Sequence, residues 1–308
     1  MRQLPWLEEG KRADRIKVAE SERSGVYLGK ALSCGFDARV EREEYRRMAA
    51  VEDEMWFYRA LHAHLESELI KGLADDTSGT RSPVNGAQSG SRAADQKKPS
   101  GRSFELLDAG CGTGGLMRRM EPRHPRWNWT GVDAEPLACE LSRSRCAANI
   151  VQGSLGALPF DTHAFDAVVC SDVLYHLDDD TAALREIFRV LRPGGVVVIN
   201  VPAHRWLWSY HDVTVHGRRR YARGELNKKL VEAGFSLAQS THWNALPLPL
   251  IFVRRKLLPA PASGSDVRLY PAPIEALFGA GAAAERWWIR SVGPLAFGSS
   301  LLATARKQ

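Results

Sequence analysis

The sequence predicts an α/β protein with a doubly wound, mostly parallel sheet of seven strands. From residue 104 onward, short apolar runs alternate with helical stretches, which is typical of parallel βαβ units with helices on both faces of a sheet. The first apolar run leads into the glycine-dense turn LLDAGCGTGG at 106–115, which precedes a helix. We therefore expect one α/β domain over 104–308.

The order of elements follows from these alternating runs. Apolar runs with strand character predict strands at 104–109, 127–133, 149–153, 165–171, 195–201, 235–242 and 299–305. Helical patterns between them predict helices at 135–145, 181–191 and 224–233. A further apolar and basic segment, 245–290, precedes the last strand and predicts a C-terminal helical insertion.

The part of the chain before the sheet divides into three segments. Residues 1–40 are polar and charged without steady periodicity, so we expect a disordered tail. Residues 41–74 carry apolar side chains at helical spacing, which predicts one or two helices. Residues 75–103 are rich in Gly, Ser, Pro and charge and predict a flexible linker or insertion.

Composition narrows the classes of protein to consider. The 308 residues are 44% hydrophobic and 25% charged with a net charge of +6, as in an ordinary globular protein. The five cysteines include no C-x-x-C pair, which favours a reducing, cytoplasmic compartment and no metal site. The N-terminus is too charged for a signal peptide, and the apolar run 245–253 is shorter than the roughly 20 residues of a membrane span.

The glycine turn is the sharpest chemical signal. Gly110, Gly112 and Gly114 lack the Cβ atoms that keep backbone away from a ligand, and they permit positive φ. Gly110, Gly112 and Gly115 also satisfy G-x-G-x-x-G, with Asp133 near the distance expected of a ribose-binding acid. An NAD-dependent oxidoreductase is therefore one alternative.

Asp108 separates the two cofactor hypotheses. It lies two residues before the first glycine, where a dinucleotide would place its pyrophosphate and be repelled by the carboxylate. S-adenosylmethionine (SAM) has no phosphate and carries a cationic ammonium and sulfonium, which a carboxylate attracts. The turn therefore favours SAM.

At these residues the chain resembles a known family. DAGCGTG at 108–114 resembles the first motif of class I SAM-dependent methyltransferases, of the type 11-like, bacterial small-molecule subgroup. The segments 153–161, 165–177 and 191–201 resemble the later motifs in order, so the resemblance covers most of 104–201. It implies a Rossmann-like sheet with SAM as cofactor and an antiparallel edge strand at the end of the chain. In the same subgroup, 41–74 would form N-terminal lid helices.

The resemblance also implies cofactor contacts. Asp133 would hold both ribose hydroxyls, since a carboxylate accepts two hydrogen bonds at once; helix capping is its alternative role. Ser154 stands where the family usually has an acid. The implied cofactor residues are Asp108, Gly110, Cys111, Gly112, Gly114, Asp133, Ala134, Ser154, Leu155 and Ser171.

Candidate catalytic residues follow the fourth strand, because ligands of such sheets lie beyond the carboxyl ends of the strands. Tyr175 and His176 occupy that place, and His211 lies farther along. A histidine there could remove a proton from the acceptor, or could simply pack under the next helix. These three residues are the candidate catalytic set.

The segment 204–226 concentrates tryptophan, histidine and arginine. Arginine pairs with carboxylate or phosphate, and aromatic rings supply flat apolar walls, which suits an acidic or lipidic small-molecule acceptor. The alternative is a basic solvated loop with its tryptophans in the core. The candidate acceptor-binding residues are Trp208, His216, Arg219, Arg220 and Tyr221.

The sequence thus predicts SAM-dependent methyl transfer to a small molecule, with a non-catalytic SAM-binding module as the alternative. The turn after strand four reads S-D-V-L-Y, which differs from the N/D-P-P-Y/F of base-methylating enzymes, so no nucleic acid is expected. Tryptophan and arginine in 245–290 make this segment a candidate for peripheral membrane contact, at the inner membrane face. Oligomeric state and the attacking atom are left open.

Overall fold

A computed structural model describes residues 38–75, 102–259 and 266–308. The described residues form seven strands: β1 Phe104–Ala109, β2 Trp127–Asp133, β3 Asn149–Gln152, β4 Phe165–Ser171, β5 Leu191–Pro202, β6 Phe235–Trp243 and β7 Ser300–Lys307. They make one sheet in the order β3-β2-β1-β4-β5-β7-β6. Strands β1 to β5 are parallel, and β7 is antiparallel to both β5 and β6.

Helices cover both faces of this sheet. The helices are α1 Ala38–Val51, α2 Trp56–Asp75, α3 Gly115–Met120, α4 Pro136–Arg145, α5 Asp180–Val190, α6 Tyr210–Thr214, α7 Arg223–Glu232, α8 Leu248–Phe252, a π-helix Val253–Leu257 and α9 Ala272–Ser291. Two short 3-10 turns, Leu174–His176 and Arg205–Leu207, follow β4 and β5.

Successive side chains of a strand point to opposite faces of the sheet, so neighbouring residues of β1 pack in different hydrophobic cores. Leu107 of β1 packs in the core on one side of the sheet, together with Leu184 of α5. Leu106 packs in the core on the other side, together with Leu65 and Leu69 of α2. The two cores confirm a doubly wound sheet with helices on both faces.

The last strand was expected to be an antiparallel strand at the edge of the sheet, and the edge position is wrong. β7 is antiparallel as expected, but it lies between β5 and β6, so β6 is the edge strand. Seven of the eight β7 residues are buried, in keeping with a strand that has neighbours on both sides. The helical insertion between β6 and β7 is confirmed as α8, the π-helix and α9.

The predicted N-terminal segments are only partly described. Helix α1 begins at Ala38, within the segment 1–40 expected to be a tail. Residues 1–37 and 76–101, which contain most of the expected tail and linker, lie outside the described residues. Within the described ranges, no helix combines the length and apolar character needed to cross a bilayer.

Candidate cofactor and acceptor site

The glycine turn after β1 adopts a backbone that requires glycine. Gly110 has φ of +88°, and a Cβ added there would collide with the Val173 side chain. Gly114 has φ of +80°, and its added Cβ would lie 2.6 Å from the Ser142 hydroxyl oxygen. The turn is thus held tightly between α4 and the residues after β4, and L side chains rarely adopt such φ values.

Asp133 ends β2 and faces this turn. Its carboxylate accepts hydrogen bonds from the backbone N–H of Gly112 at 2.9 Å and of Glu135 at 3.0 Å. The N-cap of α4 is Glu135, which accepts from Leu137 N at 3.5 Å, so helix capping does not account for Asp133. Since each carboxylate oxygen has two lone pairs, both oxygens keep an acceptor position for a ligand hydroxyl.

Asp108 is buried without a protein partner. The described residues form no hydrogen bond to its carboxylate, and burial, with Asp133 as a second cause, raises the pKa of Asp108 to about 7. Ser171 ends β4 with a buried hydroxyl that likewise has no partner in the described ranges. Polar groups buried in this way are costly unless something binds them. A cationic ligand such as the ammonium of SAM fits Asp108.

The other predicted cofactor residues lie on the same turn or near the carboxyl end of β3. Cys111 is buried with its Sγ 4.0 Å from Ser142 Oγ, and burial raises the pKa of its thiol, which therefore stays protonated. Leu155 is buried, whereas Ala134 and Ser154 are exposed. Ser154 Oγ accepts a hydrogen bond from Gly156 N at 3.2 Å.

Helix α1 lies directly on the glycine turn. A Cβ at Gly112 would lie 3.0 Å from Met48 Cε. Glu52 accepts a hydrogen bond from Thr113 Oγ1 at 2.5 Å and forms an ion pair with Arg145 of α4. The segment predicted to be a lid therefore contacts the turn through both an apolar and an ionic side chain.

Asp172, which the sequence analysis did not select, occupies the end of β4 beside Ser171. It has φ of +55°, unusual for a residue other than glycine. Both of its carboxylate oxygens accept from Asn200 Nδ2 at 3.0 Å, and Asn200 Oδ1 accepts from Trp243 Nε1 at 2.8 Å. Because the indole N–H is a donor only, this bond orients the amide with its N–H groups toward Asp172. Burial raises the pKa of Asp172 to about 7.

The predicted catalytic residues divide between two places. The rings of Tyr175 and His176 are 3.9 Å apart in the turn after β4, and His176 Nδ1 lies 3.3 Å from the His216 carbonyl oxygen. Burial lowers the pKa of His176 to about 4, so its ring is neutral at pH 7 and a weak base. His211 lies in α6, with Nδ1 3.9 Å from a carboxylate oxygen of Asp266, and burial lowers its pKa to about 3.

The predicted acceptor-binding residues have contacts within the protein, through the side chains of Arg219, Arg220 and Tyr221 and the carbonyls of Trp208 and His216. Arg220 is buried, and it donates hydrogen bonds to the Asp212 carboxylate at 2.6 Å and to the Ala203 carbonyl at 3.0 Å. Tyr221 donates to Asp180 at 2.6 Å. The remaining contacts join Arg219 to the carbonyls of Leu177 and Asp178, the Trp208 carbonyl to Lys256 and the His216 carbonyl to His176. Acceptor binding by this set stays a prediction, and these contacts favour a structural role.

Comparisons with known proteins agree with the fold and the turn. Residues 107–199 match the family Methyltransf_11, a methyltransferase domain. The chain is similar to the malonyl-(acyl-carrier protein) O-methyltransferase of Enterobacter lignolyticus, with 31% identity over 138 residues that cover 43% of this chain and 55% of that protein. It is also similar to the chloroplastic 2-methyl-6-phytyl-1,4-hydroquinone methyltransferase 1 of Oryza sativa subsp. japonica, with 31% identity, 60% of this chain and 55% of that protein covered.

A solved structure is similar over most of the chain. The crystal structure of a SAM-dependent methyltransferase from Thermotoga maritima has a TM-score of 0.51 at 15% identity, covering 88% of this chain and 99% of that one. This likeness shows the fold. The chain spans about half the length of the two curated relatives, 55% in each case.

The strand order is that of the class I methyltransferase fold, and residues 107–199 match the Methyltransf_11 family. The buried Asp108 carboxylate, the glycine turn and Asp133 fit SAM as the cofactor.

Proposed function

We propose that this chain is an active SAM-dependent methyltransferase that methylates a small molecule. The observation that carries the proposal is the buried Asp108 carboxylate, which has no hydrogen-bond partner among the described residues. It lies beside a turn with positive φ at its glycines, and Asp133 faces the same turn. A carboxylate left without a partner in the interior favours a cationic ligand over a phosphate. Relatives that are named as methyltransferases support the same activity.

When bound, SAM supplies a methyl group already activated by a positive sulfur. The protein's task is then to align the acceptor and exclude water, which can account for most of the rate. Asp108 and Asp133 would hold the cationic and hydroxyl groups of the cofactor. Met48 of α1 and Glu52, which follows this helix, cover the turn and would limit access of water.

Asp172 is the general base in this proposal. A base acts best when its pKa is near the working pH, and the pKa of Asp172 is raised to about 7 while that of His176 is lowered to about 4. Asn200 holds both carboxylate oxygens and is itself fixed by Trp243. Asp172 would take the proton of an acceptor hydroxyl. His176, Tyr175 and His211 remain candidates from the sequence.

For the acceptor we propose an acidic or lipidic molecule. The relatives' names support both properties: one acts on a malonyl group carried by a protein, and another on a phytyl-substituted hydroquinone. Each of these acceptors combines an ionisable oxygen with a longer carrier or apolar chain. An ionisable oxygen also suits a carboxylate base such as Asp172.

The test incubates the full chain with SAM labelled in the methyl group and with separate acidic-metabolite and lipid extracts. We expect label in a product and release of S-adenosylhomocysteine. Asp172→Asn should lower kcat by about 100- to 10,000-fold without changing SAM affinity. The control is Asp161→Asn, which alters an exposed carboxylate.

Two outcomes contradict parts of this proposal. If the chain binds SAM but labels nothing in either extract, it is a non-catalytic SAM-binding module. If transfer occurs and Asp172→Asn leaves kcat unchanged, Asp172 is not the base, and the same measurement on His176→Ala then examines the sequence-based candidate.

A further inference from the structure

Two arginines of helix α9 line a surface cavity. The cavity has a volume of about 390 Å³ and is lined by Ala283, Arg286, Trp287, Arg290 and Ser291. Arg286 and Arg290 are one helical turn apart, and within the described residues neither has a hydrogen bond or an ion pair. The acidic group that interacts electrostatically with Arg286 is Glu66, which is itself paired with Arg123 and His124. Like charges at this spacing destabilise a helix, so an anion in the cavity would stabilise it.

The other basic side chains of this region differ from these two. Arg255 donates to Asp266 at 3.0 Å, Arg254 to the Pro259 carbonyl at 2.8 Å and Lys256 to the Trp208 carbonyl at 2.6 Å. Their charges contribute to a positive surface, but their polar atoms already have protein partners. Arg286 and Arg290 are therefore the candidates for direct contact with an anion.

Helix α9 and the segment before α8 carry exposed apolar side chains, of which Trp287 lines the cavity. Trp287 and Trp288 have 62% and 46% of their surface exposed, and Leu277, 69% exposed, shares a helix face with Trp288. A Cβ at Gly281, on the same face, would lie 3.2 Å from Leu246, so the segment before α8 continues the surface. The exposed large apolar residues of 246–258 and α9 are Leu246, Leu250, Phe252, Val253, Leu257, Leu258, Ile274, Leu277, Trp287 and Trp288.

A helix with apolar side chains around most of its circumference normally lies in a protein core or in contact with lipid. α9 carries four charged residues in 20, and two of them bind within the protein. Glu275 accepts from Trp56 N at 2.6 Å, and Glu285 accepts from Asn244 N at 2.7 Å. The other two charged residues are the arginines at the cavity, and apart from Ser291 the other exposed side chains of α9 are apolar.

We propose that this surface, 246–258 together with α9, binds the face of an anionic phospholipid membrane. The tryptophans and leucines would enter the boundary between headgroups and acyl chains, where tryptophan is enriched. Arg286 and Arg290 would bind a lipid phosphate between them. The proposal goes beyond methyl transfer and requires neither SAM nor an acceptor.

The contact would also bring a lipid surface next to the cofactor lid. Glu275 of α9 binds the first backbone N–H of α2, and Phe278 packs on Trp56 with ring centroids 5.1 Å apart. Helix α2 follows α1, which lies on the glycine turn. A lipidic acceptor would therefore meet the protein near the start of α2, in the second half of the predicted lid.

The test is sedimentation of the full chain with vesicles of phosphatidylcholine alone and of phosphatidylcholine mixed with phosphatidylglycerol. We expect binding to the mixed vesicles, weaker binding at high salt, and a blue shift of tryptophan fluorescence. Arg286→Gln/Arg290→Gln should weaken binding to the mixed vesicles by about 30-fold, from about tenfold per 1.4 kcal/mol and about 1 kcal/mol for each arginine near the surface. Trp287→Ala/Trp288→Ala should abolish the blue shift.

The matched control is Arg185→Gln/Lys228→Gln, which removes two exposed charges from α5 and α7. This variant should bind the vesicles like the unaltered chain. Equal loss of binding in both double variants would show that net charge alone accounts for the effect, and it would overturn the proposal. Absence of vesicle binding would also overturn the proposal. So would a dimer in gel filtration that becomes a monomer in the tryptophan variant, because the surface would then be an interface between two copies of the chain. Circular dichroism checks that each variant is folded.

Discussion

The cofactor edge, formed by Asp108, the glycine turn and Asp133, contrasts with the arginine-rich segment 204–226. Both combine charged groups with unusual local sequence. At the cofactor edge, Asp108 has no hydrogen-bond partner in the described ranges, and the turn has no room for a side chain at Gly110 or Gly114. In the segment, Arg220 and Tyr221 are buried and bound to carboxylates of the same chain.

The difference teaches that a concentration of charge does not by itself make a binding site. Buried polar groups are nearly always satisfied, and the informative exceptions are those that lack a partner. Arg220 is satisfied by Asp212 and a carbonyl, so its removal should affect folding. Asp108 is not satisfied, so its removal should affect ligand binding.

The largest expected effect is on stability, in the arginine-rich segment. Arg220→Met leaves the buried Asp212 carboxylate without its ion pair and should lower the free energy of unfolding by about 3–5 kcal/mol. Denaturant unfolding followed by circular dichroism measures it. Arg205→Met is the control, because that side chain is 76% exposed and should change stability by less than about 0.5 kcal/mol. Full stability with a raised KM for the acceptor would instead make Arg220 a binding residue.

The next effect concerns ligand affinity at the cofactor edge. Asp133→Ala removes a carboxylate that faces the turn and should weaken SAM binding by about 1–3 kcal/mol through lost hydrogen bonds to a charged group. Titration calorimetry measures the affinity, with Glu140→Ala on the exposed side of α4 as the control. Unchanged affinity in Asp133→Ala would remove this residue from the site.

The pH dependence of SAM binding follows from Asp108. Its pKa is raised to about 7, so the carboxyl is neutral in acid and ionised in base, and the ionised form attracts a cationic ligand. SAM affinity should therefore fall as pH drops below about 7, by at most about tenfold per pH unit for one proton. Calorimetry across this range measures it. The Asp108→Asn variant should bind SAM weakly, and its affinity should not change with pH in this range. If its affinity showed the same dependence on pH, the titrating group would be another residue.

The smallest effect is expected at Ser154. This residue is exposed, and its hydroxyl bonds to the nearby Gly156 N–H. Ser154→Ala should change SAM affinity by less than about 0.5 kcal/mol, as for other surface substitutions. A tenfold loss would show that the hydroxyl binds the cofactor directly, as the resemblance implies.

Much of the fold could be predicted, because strand and helix patterns are local. The strands predicted at 104–109, 127–133 and 165–171 have those bounds in the structure. The position of β7 inside the sheet could not be predicted, since pattern alone does not say which strands pair. Asp172 was missed because its signals are a positive φ and a hydrogen bond to Asn200, 28 residues away.

The sequence by itself determined the alternation of strands and helices and the glycine turn, since both depend on backbone preferences and spacing within a few residues. Only the tertiary structure decided which charged side chains are free. The partners of Arg220, Asp172 and Trp243 come from other parts of the chain, up to 43 residues away for the bond between Trp243 and Asn200. Whether a charge is satisfied depends on folding, and that decides which residues are left to bind a ligand.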